Sequence, residues 1–463
     1  MNPRRDDVVR DWVERWVEAT GGHPNDAGYL LIEGTTVLPS VFPVADFCSA
    51  SVGTAGLAAA ALARALGAAP AAVTVDRGLT AHWFGTSLIP QGWKVPPAWD
   101  ALAGDYPTSG GWIRLHTNAA HHRRAALAAL GLPADTASRT EVADVVARWR
   151  AKDLEEAVVA AGGCAARMLT KAQWRAHPQG SAVASEPLVH WRERAPREPR
   201  AATGTPERPL RGVKVLDLTR VLAGPVATRF LAGLGADVLR IDPPGWSEPS
   251  IEPDTTLGKR CARLDLTVPG DREIFSGLLA EADILVHGYR PSALDRLGFG
   301  DDELAERHPG LVNLSLNAYG WTGPWADRRG FDSLVQMSSG IADAGMRATV
   351  SAVPRPLPVQ ALDHATGHLL AAAALNAWSA RLGGRVFQAR LSLARTATEL
   401  LAVHGAGLDD GTSVPPAASF RSTPEETAWG PALRLEPPVH FAGTRIEWHL
   451  PARGTGSADA RWQ

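Results

Sequence analysis

Asp363 holds the most chemical promise of any residue in the chain. It sits near the start of "LPVQALDHATGHLLAAAALNAW" (357–378), where an acid precedes an apolar run of Ala and Leu. Two roles suit a short carboxylate there. It can cap a helix by accepting hydrogen bonds from free backbone N–H groups, or, beside small residues, it can face a cleft as a nucleophile. The residue alone leaves both open. Other reactive sets are weaker. Cys48, Cys164 and Cys261 are far apart and odd in number, fit neither a zinc pattern nor a disulfide framework, and read as buried thiols in a reducing cytosol. His116, His121 and His122 in "LHTNAAHHRR" have no acid or cysteine at ligand spacing, so no metal is expected and they read as surface or helix-capping residues. No G-x-S-x-G motif or Ser/His/Asp set stands out. Lys259, Arg260, Arg290 and Arg296 suit phosphates at a sheet edge, though on spacing alone solvated charge is the better reading.

The elements that must position Asp363 follow from periodicity. From Gly212 the chain reads "VKVLDL" as a strand, "TRVLAGP" as a turn, "VATRFLAGLG" as a helix and "ADVLRID" as a strand. Then "REIFSGLLAEA" is helical, "DILVHGY" a strand, "ALDRLGFGDDELAERHPG" helical and "LVNLSLNAYG" a strand. This alternation predicts an α/β fold: a doubly wound, mainly parallel sheet with ligand at the carboxyl ends of its strands. Asp242, ending the second strand, invites a dinucleotide reading, but the first turn holds only Gly224 before Pro225, so NAD is not expected. Residues 191–211, rich in Pro and Arg, read as a linker between an N-terminal region, 1–190, and the sheet domain, 212–400. Residues 401–463 read as a C-terminal extension, mostly surface structure, with one strand candidate, "RIEWHL". An internal echo pairs Leu57 with Leu370 and Leu62 with Leu375, both 313 residues apart; at that offset Asp363 meets Ala50 and the first copy lacks the acid. Chance similarity between alanine-rich runs is the alternative.

The 463 residues are 45% hydrophobic with a net charge of −2, which affords a large core and gives no electrostatic footprint for nucleic acid or an anionic membrane. The charged N-terminus lacks a signal-peptide pattern, and the apolar runs are too short or interrupted to span a bilayer, so a cytoplasmic protein is expected.

"GVKVLDLTRVLAGPVATRFLAGLGADVLRIDPPG" resembles the opening of the family III CoA-transferases, the group of formyl-CoA transferase and carnitine CoA-transferase. The likeness runs on through "KRCARLDLTVPGDREIFSGLLAEADILVHGYRPSALDRLGF" and "HPGLVNLSLNAYGWTGPWADRRGFDSLVQMSSGIADAG" to "ALDHATGHLLAAAALNAW", roughly 210 to 400. It implies a Rossmann-like CoA-binding domain plus a smaller mixed α/β or α+β domain. "GWIRLHTNAAHHRRAALAALGL" and "EEAVVAAGGCAARMLTKAQWRAHPQGSAVASEPLV" resemble pieces that follow the nucleotide fold in that family; here they precede it, so the order looks permuted.

By this resemblance Asp363 falls on the family's catalytic aspartate. It implies transfer of CoA from an acyl-CoA to a free carboxylic acid through aspartyl anhydride and aspartyl-CoA thioester intermediates. Two expectations accompany it: a helix N-terminus that keeps Asp363 ionised, and Gly367 as an oxyanion N–H donor. Contacts to CoA are implied at Leu222, Ala223, Leu264, Gly288, Tyr289, Arg296 and Leu297, with Arg296 the best phosphate ligand. Leu222 and Pro243 depart from polar and arginine residues in some relatives. The related α-methylacyl-CoA racemases carry a histidine in a G-H-D segment; here Phe331 stands in "GFD", which disfavours racemisation, and His364 and His368 read as packing or orienting groups. CoA is thus expected as substrate, with no permanent cofactor, in a homodimer of the interlocked kind its relatives form. The competing reading is a CoA-binding pseudoenzyme or partner subunit.

Overall fold

The apolar runs after Gly212 become strands because each is short, rich in Val, Leu and Ile, and bounded by turns. The structure, a computed structural model, describes residues 3–36, 38–403 and 419–463. In chain order its strands are β1 Leu30–Glu33, β2 Val73–Asp76, β3 Leu88–Pro90, β4 Gly104–Thr108, β5 Gly111–Leu115, β6 Ala165–Arg167, β7 His190–Glu193, β8 Lys214–Leu218, β9 Asp237–Asp242, β10 Lys259–Arg263, β11 Ile284–His287, β12 Val312–Asn317, β13 Phe387–Ser392, β14 Glu425–Thr427, β15 Gly430–Arg434 and β16 Val439–Phe441.

The main sheet runs β10-β9-β8-β11-β12-β13-β7. Its first six strands are parallel, and β7 closes the edge antiparallel to β13. Order therefore reverses between β8 and β11, and a crevice opens beyond the carboxyl ends of strands at such a switch point. Helices cover both faces, as the α/β reading expects. On one face, Ala223–Gly233 and Ala361–Leu382 pack with the N-terminal helix Val44–Ala65 in one continuous core. On the other, Pro269–Glu281 packs Phe275 and Leu278 onto Leu216, Leu239 and Leu285. Smaller sheets hold β1-β2-β16, β14-β15-β3 and β4-β5-β6.

Strand alternation places a row of charges inside. Val215, Asp217, Arg240, Asp242 and Lys259 point to the face opposite Leu216 and Leu239. Lys259 Nζ meets Asp217 Oδ2 at 3.0 Å, the Pro225 carbonyl at 2.9 Å and Thr228 Oγ1 at 2.6 Å. Arg240 bonds both Asp242 oxygens at 2.9 Å and Glu248 Oε2 at 2.8 Å. Lys259 and Arg260 are thus not solvated charges at a sheet edge. Lys259 is fully buried, Arg260 is paired with Asp237 at 2.6 Å, and both lie on β10.

Other expectations change too. Residues 191–193, the start of the expected linker, belong instead to the edge strand β7, because Trp191 packs against Phe387 and donates to the Ala19 carbonyl. "RIEWHL" is not a strand; Trp448 inserts there, stacks on Trp83 and donates to the Arg229 carbonyl. The strand comes earlier, as β16 beside β2. Residues 404–418, the first part of the C-terminal extension, lie outside the described residues. Removing the lysine head should strand a buried carboxylate. Lys259→Met is expected to lower unfolding free energy by about 3–5 kcal/mol, read by urea denaturation.

Candidate active site

At the switch point lies a cavity of about 320 Å3, bounded by the ends of β8, β11 and β12 and by the starts of helices that include Ala223–Gly233, Ala361–Leu382 and Leu393–Ala402. That is within the range of small-ligand sites, roughly 300–1,000 Å3. Its wall includes Asp363, Arg220, Ala223, Gly288, Tyr289 and Phe331.

The turn after β8 is held in strain. Val221 has φ of 63°, which a β-branched residue rarely adopts. Its N–H donates to Glu248 Oε1 at 2.6 Å, and Glu248 is fixed by the buried Arg240. The internal charge row therefore sets one wall of the cavity. It also occupies Asp242, whose two oxygens are taken by Arg240, so that acid is not presented to a ribose.

Arg220 lies over the rings of Trp246, 4.9 Å away, and Tyr289, 5.2 Å away, and donates to the Tyr289 hydroxyl at 3.0 Å. Its Nε is buried without a hydrogen-bond partner. Arg290 and Arg329 line the same cavity. Among the described residues none of these three guanidiniums is ion-paired, whereas Arg328 beside them is bound to Glu155 at 2.9 Å. The wall suits an anion.

Asp363 occupies the first turn of the helix Ala361–Leu382, and its side chain does not cap that helix. Asp332 does. Its Oδ2 accepts from the Asp363 N–H at 2.9 Å, and its carboxylate accepts from the Leu362 N–H as well. Gln336 donates to the other Asp332 oxygen and accepts from the Leu357 N–H at 2.7 Å, fixing the segment that leads into the helix. Burial pushes Asp332 up to about 6, against the pull of these donors. Asp363 has no such donors, and burial together with the Asp332 charge raises its pKa well above the carboxylate range. The expectation that the helix N-terminus keeps Asp363 ionised is therefore corrected. The helix donors go to Asp332, and burial beside that carboxylate raises Asp363.

The other sequence-selected positions divide. Ala223, Gly288 and Tyr289 stand at the cavity with Asp363. Leu222 precedes them as the N-cap of the helix Ala223–Gly233, outside the lining. Leu264 is buried and Leu297 half-buried in the core of the opposite sheet face. Arg296 is exposed and donates to Ser292 Oγ at 2.9 Å, away from the lining. Gly367 is not an oxyanion donor: it lies in the helix interior, where its N–H belongs to the i−4 ladder. A Cβ there would run into the Ala223 carbonyl oxygen, so the glycine lets two helices touch. His364 and His368 pack as expected, stacked on Phe84 at 4.5 and 5.6 Å.

His121 is at the surface, as expected, but His116 and His122 are buried. His121 and His122 line the cavity, and His116 stacks on Phe331 at 3.8 Å. Burial, with neighbouring positive groups, lowers His116 and His122 to about 3. Sequence spacing alone could not reveal them, since they approach Phe331 from some 210 residues away. Asp332, Arg220 and Trp246 were missed as well; the acid next to Phe331 in "GFD", four residues before Gln336, was the available signal.

The family model for CoA-transferase family III matches residues 210–417. Residues 210–417 are thus similar to CoA-transferase family III. The same segment is similar in sequence to proteins named as CoA-transferases. An acetyl-CoA:oxalate CoA-transferase of Acetobacter aceti is 39% identical over 29% of this chain and 38% of its own. A human succinyl-CoA:glutarate CoA-transferase is 35% identical over 30% and 36%. The crystal structure of Rv3272 from Mycobacterium tuberculosis is 33% identical, with a TM-score of 0.39 over 42% of this chain and 56% of that one. The chain thus spans less than half the length of these two curated relatives.

The direction of the Asp363 shift fixes a stability test. A carboxyl whose folded pKa lies above its unfolded value of about 3.9 favours the fold at low pH. That advantage is lost as pH rises toward the folded value. Asp363→Asn is therefore expected to raise Tm, with a larger gain at pH 8 than at pH 5, read by calorimetry. Removing the neighbouring charge with Asp332→Asn should move loss of the Asp363 carboxyl infrared band to lower pH.

Proposed function

We propose that this chain is a family III CoA-transferase that moves CoA between an acyl-CoA and a free carboxylic acid, with Asp363 as nucleophile. One observation carries the reading: among the described residues, the acid lies unpaired with any cation in the cavity at the sheet's switch point, beside arginines without carboxylate partners. The similar proteins named above carry CoA-transferase names, which supports the reaction class.

The steps balance as follows. The Asp363 carboxylate attacks the donor thioester carbonyl and expels CoA thiolate, leaving a mixed anhydride. The thiolate attacks the aspartyl carbonyl carbon, releases the donor acid and leaves an aspartyl-CoA thioester. The acceptor carboxylate attacks that carbon and expels the thiolate again, forming a second anhydride. The thiolate then attacks the acceptor's carbonyl, giving the new acyl-CoA and restoring Asp363. Burial that raises the Asp363 pKa makes its carboxylate oxygen more basic and so a stronger nucleophile. The first turn of the helix Ala223–Gly233 forms part of the wall and supplies N–H donors for a developing oxyanion, in place of Gly367. Arg220 and Arg329 offset the charge of the thiolate and the acids.

Exchange of isotope-labelled acid into acyl-CoA tests this. Asp363→Ala should reduce exchange by roughly 1,000-fold or more. Hydroxylamine added during turnover should yield a hydroxamate on the Asp363 peptide. Undiminished exchange in the variant overturns the nucleophile. A folded wild-type chain that binds CoA yet exchanges no acid identifies a non-catalytic CoA-binding subunit.

A further inference from the structure

The N-terminal helix Val44–Ala65 and the helix Ala361–Leu382 are both 22 residues long and pack against each other. They also begin in the same way. Pro43 has φ −77° and ψ 65°; Gln360 has φ −75° and ψ 63°. Each is the centre of an inverse γ-turn, with Val44 N–H donating to the Phe42 carbonyl and Ala361 N–H to the Val359 carbonyl, both at 2.8 Å. A three-residue hydrogen-bonded turn opening a helix is specific enough to set a register. In that register Asp46 falls on Asp363 and Arg64 on Arg381, both 317 residues apart. The expected offset of 313, which placed Ala50 opposite Asp363, is wrong by about one helical turn.

The flanking elements agree. β1 and β2 pair in parallel around the first helix, as β12 and β13 do around the second. A helix starts directly after each second strand, Arg77–Trp83 and Leu393–Ala402. Asp76 and Ser392 cap these helices through the same bond, accepting from the third helical N–H at 2.8 and 3.2 Å.

One exchange beside the acids distinguishes the two sites. The second helix after the sheet begins with Leu393, which lines the cavity beside Asp363. Its counterpart begins with Arg77, whose Nε lies 3.2 Å from Asp46 Oδ1, with both side chains buried. We infer that the segment from β1 through Trp83 is a second copy of the Asp363 unit, and that the Asp46–Arg77 ion pair fills and silences its site. The chain is an internal pair with one reactive acid and one structural acid. The silenced copy still serves the other: Phe84, directly after its last helix, stacks on His364, next to Asp363.

The ion-pair half of this inference stands apart from the proposed transferase reaction; only the word reactive rests on it. The decisive experiment is thermal unfolding of the full chain at pH 7 for Asp46→Asn, Arg77→Leu and the double variant. Each single change should lower Tm by about 5 °C by leaving a buried charge unpaired, and the double variant should recover more than half of the summed loss. Additive losses overturn the silencing pair. Should a single variant fail to fold, peptide mapping of the wild type decides. After incubation with acetyl-CoA and hydroxylamine, modification is expected at Asp363 and not at Asp46. A modified Asp46 overturns the inference. If neither acid is modified, the transferase reading fails, and Arg77→Lys decides the pair: retained Tm supports it, whereas a fall equal to that of Arg77→Leu overturns it.

Discussion

Two acids in one buried place, Asp332 and Asp363, set the terms for everything around them. A helix start offers its free N–H groups to the nearest acceptor. Here Asp332 takes them from a different helix, so the acid within the first turn is left without donors. Two carboxylates cannot both ionise cheaply in such a site, and the donors around Asp332 favour the charge there. The arrangement lasts only because the entry to the Asp363 helix is fixed from several sides. Gln336 ties Asp332 to Leu357, the γ-turn at Gln360 directs the chain, and Gly367 admits the Ala223 carbonyl against the second turn.

The opposite wall of the cavity depends on charges that never reach it. Asp217, Arg240, Asp242 and Lys259 are buried beneath the sheet, an expensive place for ions unless each is paired. Through Glu248 this row holds Val221 at positive φ and so shapes the turn that carries Arg220 and Ala223. Packing alone would relax that turn toward an ordinary conformation. A buried carboxylate accepting its N–H makes the strained state the better one.

Much of this was legible in the sequence, in proportion to how local its cause is. The strands of the sheet and the helix of Asp363 follow from apolar runs and turns, which act over a few residues. β10 was misread because a strand in which Lys259 and Arg260 point to opposite faces looks like a basic cluster; only tertiary partners neutralise them. "RIEWHL" has strand composition, but Trp448 finds a better partner in Trp83 than a ladder offers. Asp332 and the histidines escaped because their contacts with the site are long-range. The repeat was seen in the wrong register for a simpler reason. Alanines are interchangeable, and a slip of four residues turns a helix by only about 40°, so the apolar faces still match. The singular residues, Asp46 and Arg64, carry the register that the common ones hide.

The kind of positive charge around Asp363 also matters. In the proposed cycle the thiolate leaves twice and must attack twice, so a group that protonates it would slow the return step. Imidazolium is such a group at neutral pH. Burial and the neighbouring positive groups hold His122 far below its usual range, so its ring stays neutral beside the thiolate. What remains positive is guanidinium, which stabilises an anion yet does not give up its proton. A cavity of arginines and silenced histidines can therefore hold a thiolate as a nucleophile, which a cavity of charged histidines would not.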